Sequence, residues 1–353
     1  MRAVVAREGA LHLESIDEPT PGPGQVLVRP VATGICGSDL HTLDAQAEEP
    51  AELPAMVFGH EFCAEVLDHG PGTDPHVPVG ALVCSVPFVE GAEGPELVGL
   101  TPNFPGGFSE RMVLQQHRLL VVPNGLAATS AAVTEPLAVG VHAVVAAGLT
   151  HEDVPLVLGC GPIGLAVIAA LKVAGHRPIV AADFSPARRA LAERAGADVV
   201  VDPAAGGAYD TWLELSGPLL PPSPLLAPSD PAATTVVFDC VGAPGLLAQH
   251  IEAVPSHSRL VVVGVCATVD SFVPVRAIEK ELTMKFVFAY RPAEFATALR
   301  LIADGVVDVT PWITGTCDLD GVSHAFDDLR SPEVHCKILV TPGVGGAGHQ
   351  ERS

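Results

Sequence analysis

Four residues able to do chemistry crowd into the stretch "GICGSDLH": Cys36, Ser38, Asp39 and His41. A thiolate, a hydroxyl, a carboxylate and an imidazole this close could hold a metal and also carry a proton away from it. A short, turn-rich peptide does neither without further ligands. The chain supplies candidates in "GHEF", which holds His60 and Glu61, and in "TEPLAV", which holds Glu135. With Cys36 these make a sulfur, a nitrogen and oxygen donors, all of which zinc accepts, and a catalytic zinc site keeps one position open. Each residue alone has a plainer reading. A single cysteine packs as a small hydrophobe, and a glutamate before proline is a charge at a helix start.

A second constellation lies in "VLGCGPIG", where Gly159, Gly161 and Gly164 have the G-x-G-x-x-G spacing. The pattern gains weight from context. It follows a predicted strand, opens a predicted helix, and is followed about 20 residues later by an acid, Asp183, at the end of the next strand. Gly159 permits the tight turn, Gly161 lets backbone approach a pyrophosphate, and Gly164 lets helix and strand pack closely. The helix N-terminus offers N–H groups and partial positive charge to the phosphates. Ile163 in the same turn is grouped with the cofactor contacts. Asp183 is expected to accept hydrogen bonds from the adenosine ribose and to repel a 2′-phosphate, which favours NAD over NADP. Arg188 and Arg189 open the next helix. Arg188 is assigned to the cofactor site; Arg189 either reaches the ribose or stands solvated.

The elements that must position these groups fall into two rhythms. Residues 1–147 read as short strands separated by Pro, Gly and Asp turns, beginning with a hairpin in "MRAVVAREGALHLES", and closing with a helix after Glu135–Pro136 that stops at Gly148. From about residue 153 the pattern becomes strand, helix, strand, helix, strand, with Ser185 as an N-cap, Pro186 inside it and Gly196 at the C-terminal end. "TTVVFDCVG", "RLVVVGVC" and "LTMKFVFA" add three strands to a parallel, doubly wound sheet. Residues 203–233 interrupt this rhythm with one short helix near "YDTWLEL" and a long surface loop, read as a tolerated insertion. Two helices and a final strand, "HCKILVT", follow before a tail expected to be disordered.

The bulk numbers exclude several classes. The 353 residues suit two domains, and 48% hydrophobic content supports a large core. No run of about 18 apolar residues is seen, so no membrane span is expected; the charged N-terminus does not read as a signal peptide, and a cytoplasmic location follows. A formal net charge of −22 repels nucleic acid and anionic membranes, so an anionic ligand must bind where the local field is reversed. None of the eight cysteines is in a C-x-x-C pair, and a disulfide framework is not expected.

The combination "GICGSDLH", "GHEF", "EPLAVGVHAV", "GCGPIGL" and "FDDLRSPEVHCKILV" resembles, in order and over about residues 1–340, the zinc-dependent alcohol and polyol dehydrogenases of the medium-chain dehydrogenase/reductase superfamily. That resemblance implies a GroES-like, β-rich catalytic domain split into residues 1–148 and 290–353. It implies a Rossmann domain over residues 149–289 and a zinc held in the cleft between the two. It further implies that Cys36 and His60 are zinc ligands, that Glu61 is a direct or alternating ligand, and that Glu135 stands where polyol-type members carry glutamate and ethanol-type members cysteine. Asp39 would orient His60 through its other ring nitrogen. Ser38 and His41 match a proton relay. Many members have four closely spaced cysteines for a structural zinc before "GGF". Here that region has only Cys84, so one zinc per chain and an unbraced loop are expected.

The implied partner is a small alcohol or its ketone, and the implied assembly a homodimer or homotetramer. Glu135 leans toward polyols, diols or secondary alcohols. Phe58, Phe88, Phe104 and Phe108 are candidates for pocket walls, with core packing an equal alternative. A zinc-free quinone or enoyl reductase of the same fold would not need Cys36, His60 and Glu135. A non-catalytic dinucleotide sensor would not need Ser38 and His41.

Overall fold

A computed structural model describes residues 1–49, 53–92, 94–216, 235–331 and 333–343. The chain divides into two compact units, Met1–Glu135 with Phe295–Ser353, and Pro136–Glu294. The boundaries inferred from sequence, after residues 148 and 289, lie at the end of one helix and ahead of another. The contact division falls inside the first turns of both.

The first unit begins with the expected hairpin, β1 (Arg2–Arg7) and β2 (Ala10–Ser15), turned at Glu8 and Gly9. Then follow β3 (Gln25–Gly34), α1 (Gly37–Glu48), β4 (Met56–Val57), β5 (Glu61–His69) and β6 (Leu82–Ser85). β7 (Phe88–Gly91), β8 (Gly94–Leu97), β9 (Met112–Gln115), β10 (Leu119–Val121) and α2 (Ala128–Ala131) complete the first segment.

The chain enters the second unit along α3 (Thr134–Ala147) and continues through β11 (Val154–Leu158), α4 (Pro162–Val173), β12 (Val180–Ala182), α5 (Pro186–Ala195) and β13 (Val199–Val201). α6 (Ala208–Leu215), β14 (Thr235–Asp239), α7 (Leu246–Ala253), β15 (Arg259–Val262), α8 (Pro274–Glu279) and β16 (Thr283–Phe286) follow. The return to the first unit runs along α9 (Pro292–Ala303) to β17 (Ile313–Cys317), α10 (Val322–Leu329) and β18 (Lys337–Val340).

In the first unit the main sheet has the order β10-β6-β5-β3-β18-β17, with β9 also on β3. β3 is the central strand. It pairs with β5 from Val26 against His69 to Gly34 against Glu61, and with β18 through Gly34 and Thr33. This register brings residues near positions 36, 60 and 337 to one end of the sheet. Two cores flank it. One gathers Phe58, Phe108 and Phe326, and the other Val28, Phe62, Val66 and Met112. The lobe expected to be an unbraced loop is a two-stranded hairpin, β7 against β8, and buried Val89 and Val98 anchor it in the second core.

The second unit is a six-stranded parallel sheet of order β13-β12-β11-β14-β15-β16. Reversal of strand order beside β11 opens the crevice where such sheets bind dinucleotides. The caps follow the sequence. Ser185 Oγ accepts the Arg188 N–H, and Gly196 ends α5 with positive φ. α3 belongs here because its Gly140 lies directly against Ala166 of α4, where a side chain would collide with backbone.

The stretch Ala128–Ala147, α2 running into α3, is long and apolar enough to cross a membrane by length and composition alone, but it is mostly buried, as a core helix is, and is no evidence of a membrane span. The expected long loop and the tail expected to be disordered fall outside the described residues, apart from residues 203–216 and Gly343. Within residues 203–216, α6 is the expected short helix.

Candidate functional site

The donor atoms of Cys36, His60 and Glu61 lie within 4.8 Å of one another, the one such group of three or more among the described residues. Glu135, in the first turn of α3, is not a member of it. Local structure explains the positions. β3 ends at Gly34, and Cys36 becomes the N-cap of α1. The stretch read as turn-rich is therefore the start of a helix. Asp39 sits at its third position, where its Oδ2 accepts the Cys36 N–H at 2.9 Å, the reciprocal half of a capping box. Glu61 opens β5 opposite Gly34, and a Cβ on Gly34 would overlap its carboxylate. That glycine makes room for an acid at a buried sheet position.

Asp39 is fully buried. Its second oxygen faces His60 Nδ1 at 3.5 Å, and both atoms lack a hydrogen-bond partner. Burial disfavours a charged His60, yet Asp39 and Cys36 outweigh it and hold the imidazole well above its ordinary value. A thiol and a carboxyl group thus flank the imidazole. With Nδ1 turned to Asp39, Nε2 faces the Ser38 hydroxyl at 3.5 Å. Ser38 and His41 are three apart on α1 and so share a helix face, with His41 exposed.

Sequence reading missed Lys337. Its Nζ donates to both carboxylate oxygens of Glu61, at 2.9 and 2.7 Å, and to the Ile35 carbonyl at 2.9 Å. Only 2% of the Lys337 side chain is exposed. Burial opposes its charge, but Glu61 and then Cys36 prevail and raise it. The signal available was a lone cation inside the apolar run "CKILV", since an ammonium is buried only with a partner.

In the second unit Gly159 takes φ of +84°, and a Cβ on Gly164 would overlap the Gly159 carbonyl oxygen. The turn can close only with glycine at both positions. α4 then starts at Pro162 with Gly161 as its N-cap and Ile163 in its first turn, so its free N–H groups face the turn. Asp183 follows β12. Its Oδ2 accepts the Cys160 N–H at 2.7 Å and its Oδ1 accepts the Ser185 N–H at 2.8 Å. The acid therefore ties together the turn and the start of α5. Arg188 is half-buried, with Nη1 directed at Gly161. Arg189 is not solvated. Its Nη1 donates to the carbonyls of Asp183 and Phe184, both at 2.8 Å, and its Nη2 pairs with Asp202 at 3.1 Å.

Comparison with known proteins agrees with both units. Residues 22–124 match the alcohol dehydrogenase GroES-like domain, and residues 162–304 match the zinc-binding dehydrogenase domain. The chain is 32% identical to the (R,R)-butanediol dehydrogenase of Bacillus subtilis, over 94% of this chain and 96% of that one. The chain belongs to the zinc-type medium-chain alcohol and polyol dehydrogenases. It is an oxidoreductase of alcohols or polyols, with a GroES-like unit and a Rossmann-type parallel sheet. Sorbitol dehydrogenase of Ovis aries is 29% identical over 93% of this chain and 92% of its own. The crystal structure of 2R,3R-butanediol dehydrogenase from Bacillus subtilis superposes with a TM-score of 0.80 at 30% identity, covering 97% of this chain and 99% of that one.

Within this dehydrogenase two of the four proposed wall residues are core. Phe58 and Phe108 are fully buried and pack on Phe326, one stacked and the other edge-on. Phe104 packs against the second core, and Phe88 is half-buried at the start of β7.

Proposed function

We propose that this enzyme transfers hydride between a secondary alcohol, diol or polyol, or the matching ketone, and NAD, using one catalytic zinc per chain and no structural zinc. The observation that carries the reading is the Cys36, His60 and Glu61 group beside the Ser38 hydroxyl. The donor set suits zinc, and the two unpartnered buried atoms of Asp39 and His60 fit a ring whose other nitrogen is committed to a metal. Cys36 and His60 are the main ligands, and Glu61 or Glu135 completes the set. A zinc bound there supplies Lewis acidity that lowers the pKa of an alcohol. Asp39 fixes the His60 ring, Ser38 accepts the substrate proton, and exposed His41 passes it to solvent.

Gly159, Gly161, Ile163, Gly164, Asp183 and Arg188 hold the dinucleotide. The Asp183 carboxylate opposes a 2′-phosphate, which favours NAD, and relatives named for butanediol and sorbitol support a diol or polyol. The first unit is then the catalytic domain and the second the nucleotide domain. Self-association as a homodimer or homotetramer is supported by the edge strand β16, where Phe286 is 65% exposed and nearby Phe288 84%. Free thiols throughout fit a cytoplasmic location. The test is metal analysis together with NAD reduction across a panel of alcohols, diols and polyols at alkaline pH. One zinc per chain with activity on a diol or polyol is expected; activity without metal would overturn the reading.

A further inference from the structure

A second buried polar cluster lies wholly within the nucleotide unit, and none of the proposed chemistry uses it. Asp239 ends β14, His250 lies on α7, and Tyr209 lies on α6. Asp239 and His250 are 3% and 2% exposed, so polar groups are held where they must find one another or lose stability. The Tyr209 hydroxyl is 2.6 Å from His250 Nδ1, and His250 Nε2 faces Asp239 Oδ2 at 3.3 Å. Burial raises the Tyr209 phenol, so it keeps its proton and donates to Nδ1. Nε2 then carries the ring proton and meets Asp239 Oδ2 as a close polar contact that falls short of hydrogen-bond geometry.

The other oxygen of Asp239 acts on the backbone. Oδ1 accepts the N–H groups of Val241 at 2.9 Å and Gly242 at 3.1 Å. The main-chain carbonyl of Asp239 also accepts the N–H groups of Val263 and Gly264, at 2.9 and 2.8 Å. Burial opposes the Asp239 charge, but His250 and these two turn amides outweigh it and keep the carboxyl below its ordinary value. The turn so held is wedged on both sides. Val241 Cγ2 lies 2.7 Å from where a Cβ on Gly159 would stand, and a Cβ on Gly242 would meet the Gly264 carbonyl carbon at 2.5 Å. Gly159 is the first glycine of the dinucleotide turn, and β14 is the strand beside β11.

We propose that Asp239, His250 and Tyr209 form a positioning triad that sets the Val241–Gly242 turn against Gly159 and thereby fixes the affinity for the dinucleotide. The triad touches no substrate. It works by holding Oδ2 of Asp239, so that Oδ1 stays aimed at the turn and the Val241 side chain stays over the glycine turn. The inference rests on the reading of this unit as the nucleotide site.

The test compares the zinc-loaded wild type with His250→Phe, His250→Gln and Asp239→Asn. NADH binding is followed by fluorescence, and KM for NAD is measured separately from kcat. Circular dichroism and zinc content check that each variant is folded and loaded. His250→Phe removes the group facing Oδ2 and is expected to weaken NADH binding about tenfold, as loss of one buried polar partner does, with KM rising in parallel and kcat within about twofold. His250→Gln restores an N–H near the Nε2 position and should bind NADH close to wild type. If His250→Phe does not fold, Asp239→Asn decides the matter: its amide no longer offers an acceptor on both sides, and weakened NADH binding at unchanged zinc content is expected. A folded His250→Phe, or Asp239→Asn, that binds NADH within twofold of wild type overturns the proposal. So does an equal loss in His250→Phe and His250→Gln, which would mean that ring packing alone matters. Failure of the wild type to bind NADH would sink the nucleotide reading itself.

Discussion

The Cys36–His60–Glu61 cluster and the Gly159–Gly164 turn, the proposed metal and dinucleotide sites, both lie at strand ends but are built in opposite ways. The turn is local. Gly159, Gly161 and Gly164 act through backbone shape, and the helix they open supplies its own N–H groups. The metal cluster is assembled from three chain regions, around Cys36, His60 and Lys337, that meet only because β5 and β18 flank β3. A local site tolerates change elsewhere and fails when its backbone is blocked. An assembled site fails when any strand brings the wrong atom.

The largest effect should come from the assembled site. Cys36→Ala removes the one thiolate of the group and is expected to lose both zinc and activity while NADH binding and fold persist. Elemental analysis and NADH fluorescence on the same sample check this. Two zincs per wild-type chain would break the single-site reading.

Ser38→Ala should lower turnover about 10²–10⁴-fold, the usual contribution of a general base, with NADH affinity unchanged. His41→Ala should be milder, because water replaces an exposed relay member, and should recover as pH rises and hydroxide accepts the proton. An unchanged pH–rate profile in His41→Ala would leave that histidine outside the chemistry.

Lys337→Met leaves the buried Glu61 carboxylate without its cation, which costs about 3–5 kcal/mol of stability. Denaturant unfolding should show this loss, and adding Glu61→Gln should return much of it. A single variant as stable as wild type would mean that Lys337 is dispensable to the cluster.

The same small change then separates the two regions. Gly34→Ala puts a methyl into the Glu61 carboxylate and should weaken zinc retention without touching NADH. Gly164→Ala puts one into the Gly159 carbonyl and should do the reverse, each costing about 1–3 kcal/mol as overpacking does. Zinc titration and NADH fluorescence on both variants are the check, and crossed effects would erase the contrast. An effect of similar size, confined to cofactor preference, is expected at Asp183. Asp183→Ser should relax the preference for NAD over NADP by about 1–3 kcal/mol, through loss of one like-charge repulsion. Equal use of the two by wild type would remove that role from Asp183.

How much could be read in advance follows the same contrast. The hairpin at Glu8–Gly9, the strand and helix order of the second unit, and the cap at Ser185 were legible because turn residues and periodicity act within a few positions. Asp183 was legible as an acid after a strand. Its hydrogen bonds to the Cys160 and Ser185 backbone were not, since they depend on how two loops meet. Arg189 could be read as solvated or functional, and its actual ties to two carbonyls and Asp202 were invisible in sequence. α1 was missed because Gly37, Ser38 and Asp39 are turn formers, and their favourable place at a helix start shows only once Cys36 is seen as the N-cap. The braced hairpin β7–β8 was missed for a related reason: its glycines and glutamates look like loop, and the burial of Val89 and Val98 depends on strands elsewhere.

By itself the sequence determined the residue types on which the proposed chemistry depends: a cysteine, a histidine and carboxylates for a metal, a hydroxyl and a histidine three apart, and glycines where a backbone must turn. Tertiary structure alone decided that the Glu61 carboxylate lies beside Cys36 and His60, that Lys337 holds it, and that a buried tyrosine, histidine and aspartate gather at the Val241–Gly242 turn. The physical reason is the range of the forces. Backbone conformation and capping are set by neighbours in the chain, whereas buried charges and hydrogen bonds depend on atoms that only strand pairing and packing bring together.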